Sequence, residues 1–333
     1  MKNRSIGGQT DTRFPILTQY ANREVPPSPW AGFQPQRSPN AAPFQPRRPI
    51  VHPHWPYPFW IAHRGAGRQA PENTLAALRL GLALGWRGFE VDAKISADGV
   101  PFLLHDTTLE RTTTERGRAS DRMWAELQTL DAGAWHHSEH AFEPIPSLAQ
   151  ALDLVWAHGA SLNIEIKPTP GDETATGRAV AELAQAHWLA AQDQAQSSGR
   201  PGPSAPILSS FQTQSLQAAR EAAPALPRAH LFHQVPAHGP ELALDLGCCA
   251  CVVHHESLDA AMVQALAQGG LKVWAYTVNE LEAAQRLAAW GVDGLITDAV
   301  QFFDPRLNPR DDPQRRLHLL PPQGPAHPEK AGS

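Results

Sequence analysis

The sequence predicts an α/β protein of the eightfold (β/α)8, or TIM, barrel class, and three observations carry that expectation. Short apolar runs alternate with segments of helical periodicity through residues 59–303. That stretch has the size of the roughly 250 residues such a barrel takes. No glycine-rich dinucleotide turn follows the first run, which removes the main reason to prefer a doubly wound open sheet.

The strand-like runs fall at residues 59–63, 88–94, 101–105, 162–167, 207–211, 228–232, 250–254, 272–277 and 294–297. Between most of them apolar residues recur at helical spacing, as in Leu75, Leu78 and Leu82, or Leu258, Met262 and Leu266. Strand, helix and strand in repetition imply parallel strands joined by crossover helices. Nine runs for eight strands leave one extra, which is expected to be a hairpin partner near 101–105. Residues 107–143 interrupt the alternation and read as a small insertion after the third run. Residues 193–206, rich in Gln, Ser, Gly and Pro, read as a surface loop within the domain.

Outside this body the character of the chain changes. Twelve of the 32 prolines lie within residues 1–58, with no helical or strand period between them. Such a segment buries too little apolar surface to offset its ordering entropy, so it is expected to be a disordered tail. Residues 304–333 read the same way. The organisation expected is therefore a tail over 1–58, a barrel domain over 59–303 and a second tail over 304–333. For the first 50 residues two readings stand, a flexible basic tail or a reading frame opened too far upstream. The second is the expectation, with the natural start at Val51, because the methionines are only Met1, Met123 and Met262.

Composition narrows the function classes. The net charge is −5, yet residues 1–58 hold seven Lys/Arg against two Asp/Glu, so the body is more acidic than the total suggests. An acidic body offers no footprint to a nucleic-acid backbone. No apolar run is long enough to span a membrane. The apolar stretch at 14–17, broken by Pro15, is too short for a signal-peptide core. The three cysteines, Cys248, Cys249 and Cys251, lie too close together for a disulfide framework and read as small buried residues of a strand. A cytoplasmic protein is the expectation.

Charged residues at strand ends point to the chemistry. His63 and Arg64 close the first run, and His105 and Asp106 the third. Glu90 and Asp92 stand at i, i+2 on the second run, as do Glu165 and Lys167 on the fourth, so each pair leaves one face. In a barrel the carboxyl ends of the strands converge on one mouth, where active sites are built. A single strand acid more often faces solvent, and a lone histidine is more often a core or surface residue. Here Phe89, Val91, Ile164 and Ile166 flank the acids, and charge on the inner face of buried strands is costly unless neutralised. Glu90, Asp92 and Glu165 suit a hard divalent cation, Mg²⁺ or Ca²⁺. No Cys/His arrangement favours zinc. Asn73 or Thr74 is placed to cap the helix that begins there, and Glu72 either supports the metal ligands or faces solvent. Of His136, His137, His254 and His255, only His254 is placed to reach the mouth.

HRGAGRQAPENT at 63–74, EVDAKISADG at 90–99, LLHDTTLERTT at 103–113, LNIEIKP at 162–168, SSF at 209–211 and VWAYTVN at 273–279 follow one another in order. Together they resemble the glycerophosphodiester phosphodiesterase family, most of all its cytoplasmic bacterial branch. The resemblance implies hydrolysis of glycerophosphodiesters, a small-molecule substrate, to sn-glycerol 3-phosphate and an alcohol. It implies metal ligands at Glu90, Asp92 and Glu165, and an acid/base pair at His63 and His105. It also implies phosphate contacts from Arg64 and Lys167, and an aromatic wall at Trp274. In the family scheme a neighbouring glycerol hydroxyl attacks first and water then opens the cyclic phosphate; His63 is assigned as base and His105 as acid. Two alternatives are weighed. A barrel phospholipase of the phosphoinositide or sphingomyelinase-D kind would need a basic amphipathic docking helix, and none is evident. An inactive barrel serving as a binding module would need a broken constellation, and every position is filled.

Overall fold

The computed structural model describes residues 55–308. The rest of the two expected tails, and Val51, lie outside the described residues. The chain runs β1 (Trp60–Ala62), α1 (Leu75–Ala83), β2 (Gly88–Ile95), β3 (Pro101–Leu103), α2 (Trp124–Leu127), α3 (Leu148–Ala157), β4 (Ser161–Ile166) and α4 (Glu173–Ser197). It continues through β5 (Ile207–Ser210), α5 (Thr213–Ala222), β6 (Arg228–Phe232), α6 (Gly239–Asp245), β7 (Ala250–His254), α7 (Ala260–Gln268), β8 (Lys272–Tyr276), α8 (Leu281–Trp290) and β9 (Gly294–Thr297). β1 pairs in parallel with both β2 and β9, which closes eight parallel strands into a barrel. β3 is the extra run, an antiparallel partner of β2 outside the closed ring, as the sequence led us to expect.

Strand alternation sorts the side chains into two environments. Phe89, Val91 and Ala93 of β2, with Leu162, Ile164 and Ile166 of β4, join the core between strands and helices. The intervening residues, Glu90, Asp92 and Lys94 on β2 and Asn163 and Glu165 on β4, therefore face the barrel interior. The lower interior is closed by a separate apolar cluster that includes Tyr57, Ile61, Ile207, Leu231, Val252, Trp274 and Ile296. The acids of β2 and β4 thus lie above this apolar floor.

Local signals set the helix starts. Thr74 Oγ1 accepts the Ala77 amide at the head of α1, Ser147 and Gln150 form a capping box on α3, and Asp259 caps α7. Two sequence expectations need correction. Residues 193–197 are the last turn of α4 rather than loop, because their Asp-Gln-Ala-Gln-Ser run holds good helix formers, and the turn comes only at Gly199. The packed body also extends past 59–303. Trp55 and Tyr57 pack edge-on against Trp274, at 5.4 and 5.6 Å, and Leu307 is buried in the main core. These contacts come from irregular chain, which carries no period to read.

The insertion has a small core of its own, built on Phe102, Leu109, Leu127, Ala132 and Ile145. It is tied to the barrel through Glu143, whose carboxylate accepts the Ala76 amide at the start of α1. Among the described residues no helix is long and apolar enough to cross a membrane.

Candidate active site

The strand ends bring seven of the eight expected residues together. Glu90, Asp92 and Glu165 are all buried, and one carboxylate oxygen from each lies within 4.8 Å of the others. Their register explains this: Asp92 of β2 stands opposite Glu165 of β4, and Glu90 lies two residues below Asp92 on the same face. Three carboxylates this close cannot all ionise without a counter-charge. Burial, reinforced by Asp92, pushes the Glu90 carboxyl up to about 8. Burial and Asp92 likewise raise Glu165, against the pull of Lys167. For Asp92 the cations prevail: burial opposes ionisation, but Lys167 and Arg64 hold it well below the usual carboxylate range.

Those two cations are held in place. The Lys167 ammonium donates to Glu165 at 2.8 Å and stands 3.5 Å from Asp92. Arg64 has φ +51°, a conformation that turns its amide onto Glu90 at 3.0 Å, while its guanidinium lies 3.4 Å from Asp92 and donates to Glu72 at 2.8 Å. Asn73, with φ +58°, grips β2 twice. Its amide donates to the Asp92 carboxylate at 2.8 Å and its oxygen accepts the Asp92 backbone N–H at 2.9 Å. The helix cap is therefore Thr74, and Asn73 fixes a candidate metal ligand. Glu72 faces neither the triad nor open solvent, since it accepts from Arg64 and twice from Arg111, at 2.7 Å each.

Each histidine is oriented by a carboxylate. His63 Nδ1 lies 2.6 Å from Asp298, just beyond β9, which leaves Nε2 facing the site 3.8 Å from Glu90. Burial alone would lower the proton affinity of His63, but the Asp298 hydrogen bond and the Glu90 charge outweigh it and raise the value. His105 Nδ1 lies 2.7 Å from Asp106, and Arg111 holds that carboxylate in turn. Burial, with Arg64 and Lys167, leaves His105 below the ordinary histidine value. The two histidines are thus shifted in opposite directions.

Trp274 does not reach this site. It is 1% exposed, in the lower apolar cluster, with Trp55 and Tyr57 against it. Aromatic residues at the mouth include Tyr276, two residues further along β8, and Phe211 after β5. Their rings meet at 6.1 Å, and the Lys167 ammonium lies 6.0 Å over Phe211. His254 extends this wall, 5.5 Å from Tyr276 and 4.7 Å from His233.

Sequence reasoning also passed over Asp298, Asn279, Lys94 and Arg111. Asn279 accepts the Asp298 amide at 2.8 Å. Lys94 is buried, donates to the Lys167 carbonyl at 2.8 Å and is pushed down to about 8 by burial. A signal existed for Lys94, as it continues the i, i+2 row of Glu90 and Asp92. On the other side of His63 a cavity of about 380 Å³ is lined by Arg64, Arg68, Glu72, Trp135, His136 and Asp298, among others.

This donor set fits a hard divalent cation. The atoms that converge, one oxygen each from Glu90, Asp92 and Glu165, are the hard anionic donors such a cation takes. Comparison with known proteins agrees with the geometry. Over 242 residues the chain is 30% identical to a glycerophosphodiester phosphodiesterase of Caldanaerobacter subterraneus, spanning 72% of this chain and 93% of that protein. A phosphodiesterase of Oleispira antarctica, solved in complex with the product sn-glycerol-3-phosphate, is 35% identical with a TM-score of 0.67, covering 73% of this chain and 94% of that one. A glycerophosphodiester phosphodiesterase structure from Agrobacterium tumefaciens is 25% identical with a TM-score of 0.59, over 74% and 97% of the two chains. Residues 63–301 match the profile of the Glycerophosphoryl diester phosphodiesterase family, and the chain belongs to that family of phosphoric diester hydrolases.

Proposed function

We propose that the chain hydrolyses glycerophosphodiesters to sn-glycerol 3-phosphate and an alcohol, with a divalent cation, Mg²⁺ or Ca²⁺, held by Glu90, Asp92 and Glu165. The observation that carries this reading is the buried acidic triad, flanked on one mouth by two carboxylate-oriented histidines and two cationic side chains.

A phosphodiester resists attack because its anionic oxygens repel nucleophiles. When bound, the cation would offset that charge as it grows. Arg64 and Lys167 bind and orient the phosphoryl oxygens and stabilise the same charge in a site of low polarity. His63 Nε2 takes the proton of the attacking glycerol hydroxyl as the new O–P bond forms. His105 delivers a proton to the leaving alkoxide as the old P–O bond breaks. The order of proton affinities, raised at His63 and lowered at His105, suits that transfer. Water then opens the cyclic ester with the two roles exchanged.

Tyr276 and Phe211, rather than Trp274, form the aromatic side of the substrate pocket in this reading. The setting is cytoplasmic, in keeping with Cys248, Cys249 and Cys251 as free thiols. The direct test is release of sn-glycerol 3-phosphate from glycerophosphocholine, with and without chelator. Release that stops on chelation and returns with Mg²⁺ or Ca²⁺ is expected. No release under any of these conditions would overturn the reading.

A further inference from the structure

Level with Glu90 and Glu165 the barrel interior holds polar groups that the chemistry above does not use. Asn163 is 2% exposed, and neither its amide nitrogen nor its amide oxygen has a hydrogen-bond partner. Ser209 is fully buried with its hydroxyl unpartnered. Glu90, through its Oε1, is the third such residue. The three lie on neighbouring strands. Asn163 of β4 stands opposite Glu90 of β2, and Ser209 of β5 stands opposite Glu165 of β4. All are on the inward face, since Leu162, Ile164 and Leu208 between and beside them belong to the outer core. Directly below, the interior turns apolar at Ile207, Leu231 and Val252.

Leaving an amide, a hydroxyl and a carboxylate oxygen dry in one place is costly, and buried polar groups in proteins are almost always satisfied. Where such groups cluster over an apolar floor, a buried water bonded to about three of them is the usual solution. We propose that Asn163 and Ser209 hold such a water against Glu90 Oε1, and that both are positioning residues for the metal ligands. With the cation bound Glu90 is ionised and accepts, and the Asn163 amide supplies the donor that the water relays to it. In this arrangement the water holds Oε1, and Oε2, which accepts the Arg64 amide at 3.0 Å, is the oxygen left to the cation. This inference rests on the reading of the triad as a metal site.

The test is calorimetric titration of Mg²⁺ and Ca²⁺ into the full chain and its Asn163→Leu and Ser209→Ala variants. Melting temperatures are measured with and without the cation. Groups that orient metal ligands typically contribute 10- to 100-fold in affinity, so Asn163→Leu should weaken binding about tenfold or more and Ser209→Ala by less. The metal-free melting temperature should stay level or rise, because leucine removes polar atoms from an apolar floor. A merely structural role would instead lower the metal-free melting temperature and leave affinity alone, and that result overturns the proposal. Wild-type protein that binds neither cation would overturn the metal reading itself. A crystal structure gives a readout independent of the variants. It should show ordered water within hydrogen-bond distance of Asn163, Ser209 and Glu90, and a dry floor would refute the idea.

Discussion

His63 Nδ1 and Asp298 Oδ1 lie 2.6 Å apart although 235 positions separate them in the chain. Only closure of the barrel, through the parallel pairing of β1 with β9, makes them neighbours. The contact fixes which imidazole nitrogen carries the proton, so that Nε2 presents a lone pair to the site. Asp298→Asn keeps the shape and removes the charge. Turnover should fall by about 10²-fold, and the His63 imidazole, followed by NMR, should titrate at lower pH than in the wild type. The direction follows from the balance at His63, where burial lowers proton affinity and Asp298 raises it. An unchanged His63 titration would show that Asp298 does not control the base.

His63→Ala and His105→Ala should each lower turnover of natural substrates by about 10²-fold or more. A 4-nitrophenyl leaving group departs without a proton, so it separates the two roles. The His105→Ala enzyme should recover most of its rate on the nitrophenyl ester of glycerol phosphate, and His63→Ala should not. Recovery of both variants to the same extent would contradict the assignment of acid and base.

Glu165→Gln removes one charge from the triad while keeping its volume. Metal-dependent turnover should vanish, since a hard cation needs that anionic oxygen. The metal-free fold should hold, because burial and Asp92 already work against ionisation of Glu165. Full activity of this variant at wild-type cation concentrations would exclude Glu165 as a ligand.

Much of this site was legible because strand periodicity is simple. Glu90 with Asp92, and Glu165 with Lys167, declare a common face at i, i+2, and His63 and His105 declare themselves as charge at strand ends. Asp298 carried no such mark. It is a single acid after the last strand, and its meaning depends on a partner at the other end of the chain. The exchange of Trp274 for Tyr276 has a different cause. Both lie on the inward face of β8, so alternation cannot tell them apart. What separates them is depth in the barrel, set by how β8 is staggered against β7 and β9, with Trp274 opposite Val252 and Tyr276 opposite His254. The arginine clamp was hidden similarly, since Arg111 comes from the insertion and meets Glu72 across 39 positions.

That clamp gives a pH signature. The Arg111 hydrogen bonds come first in holding the Asp106 carboxyl at about 2, against some opposition from burial. A group whose folded value is depressed contributes stability that is present above its unfolded value, near 4, and lost as pH falls through the folded one. Asp106→Asn should therefore melt below the wild type at neutral pH. The two melting temperatures should converge between about pH 4 and about pH 2 as wild-type Asp106 becomes protonated. A gap that stays constant over that range would mean Asp106 contributes no linked proton.

The depths of Trp274 and Tyr276 predict opposite phenotypes for two changes only two residues apart. Trp274 is buried among Trp55, Tyr57 and the lower apolar cluster, so Trp274→Ala opens a large cavity in the lower interior. Such truncations cost about 3–5 kcal/mol, which should appear as a large drop in melting temperature. The folded fraction should keep a near-normal KM. Tyr276 is only partly buried. Its ring stands between Phe211 and His254, and its hydroxyl donates to the Phe232 carbonyl at 3.2 Å. Tyr276→Ala should raise KM for glycerophosphocholine severalfold with a smaller loss of stability, and Tyr276→Phe should fall between that variant and the wild type. Melting curves and steady-state kinetics on the same preparations decide the matter. A raised KM in Trp274→Ala with KM unchanged in Tyr276→Ala would return the aromatic wall to Trp274.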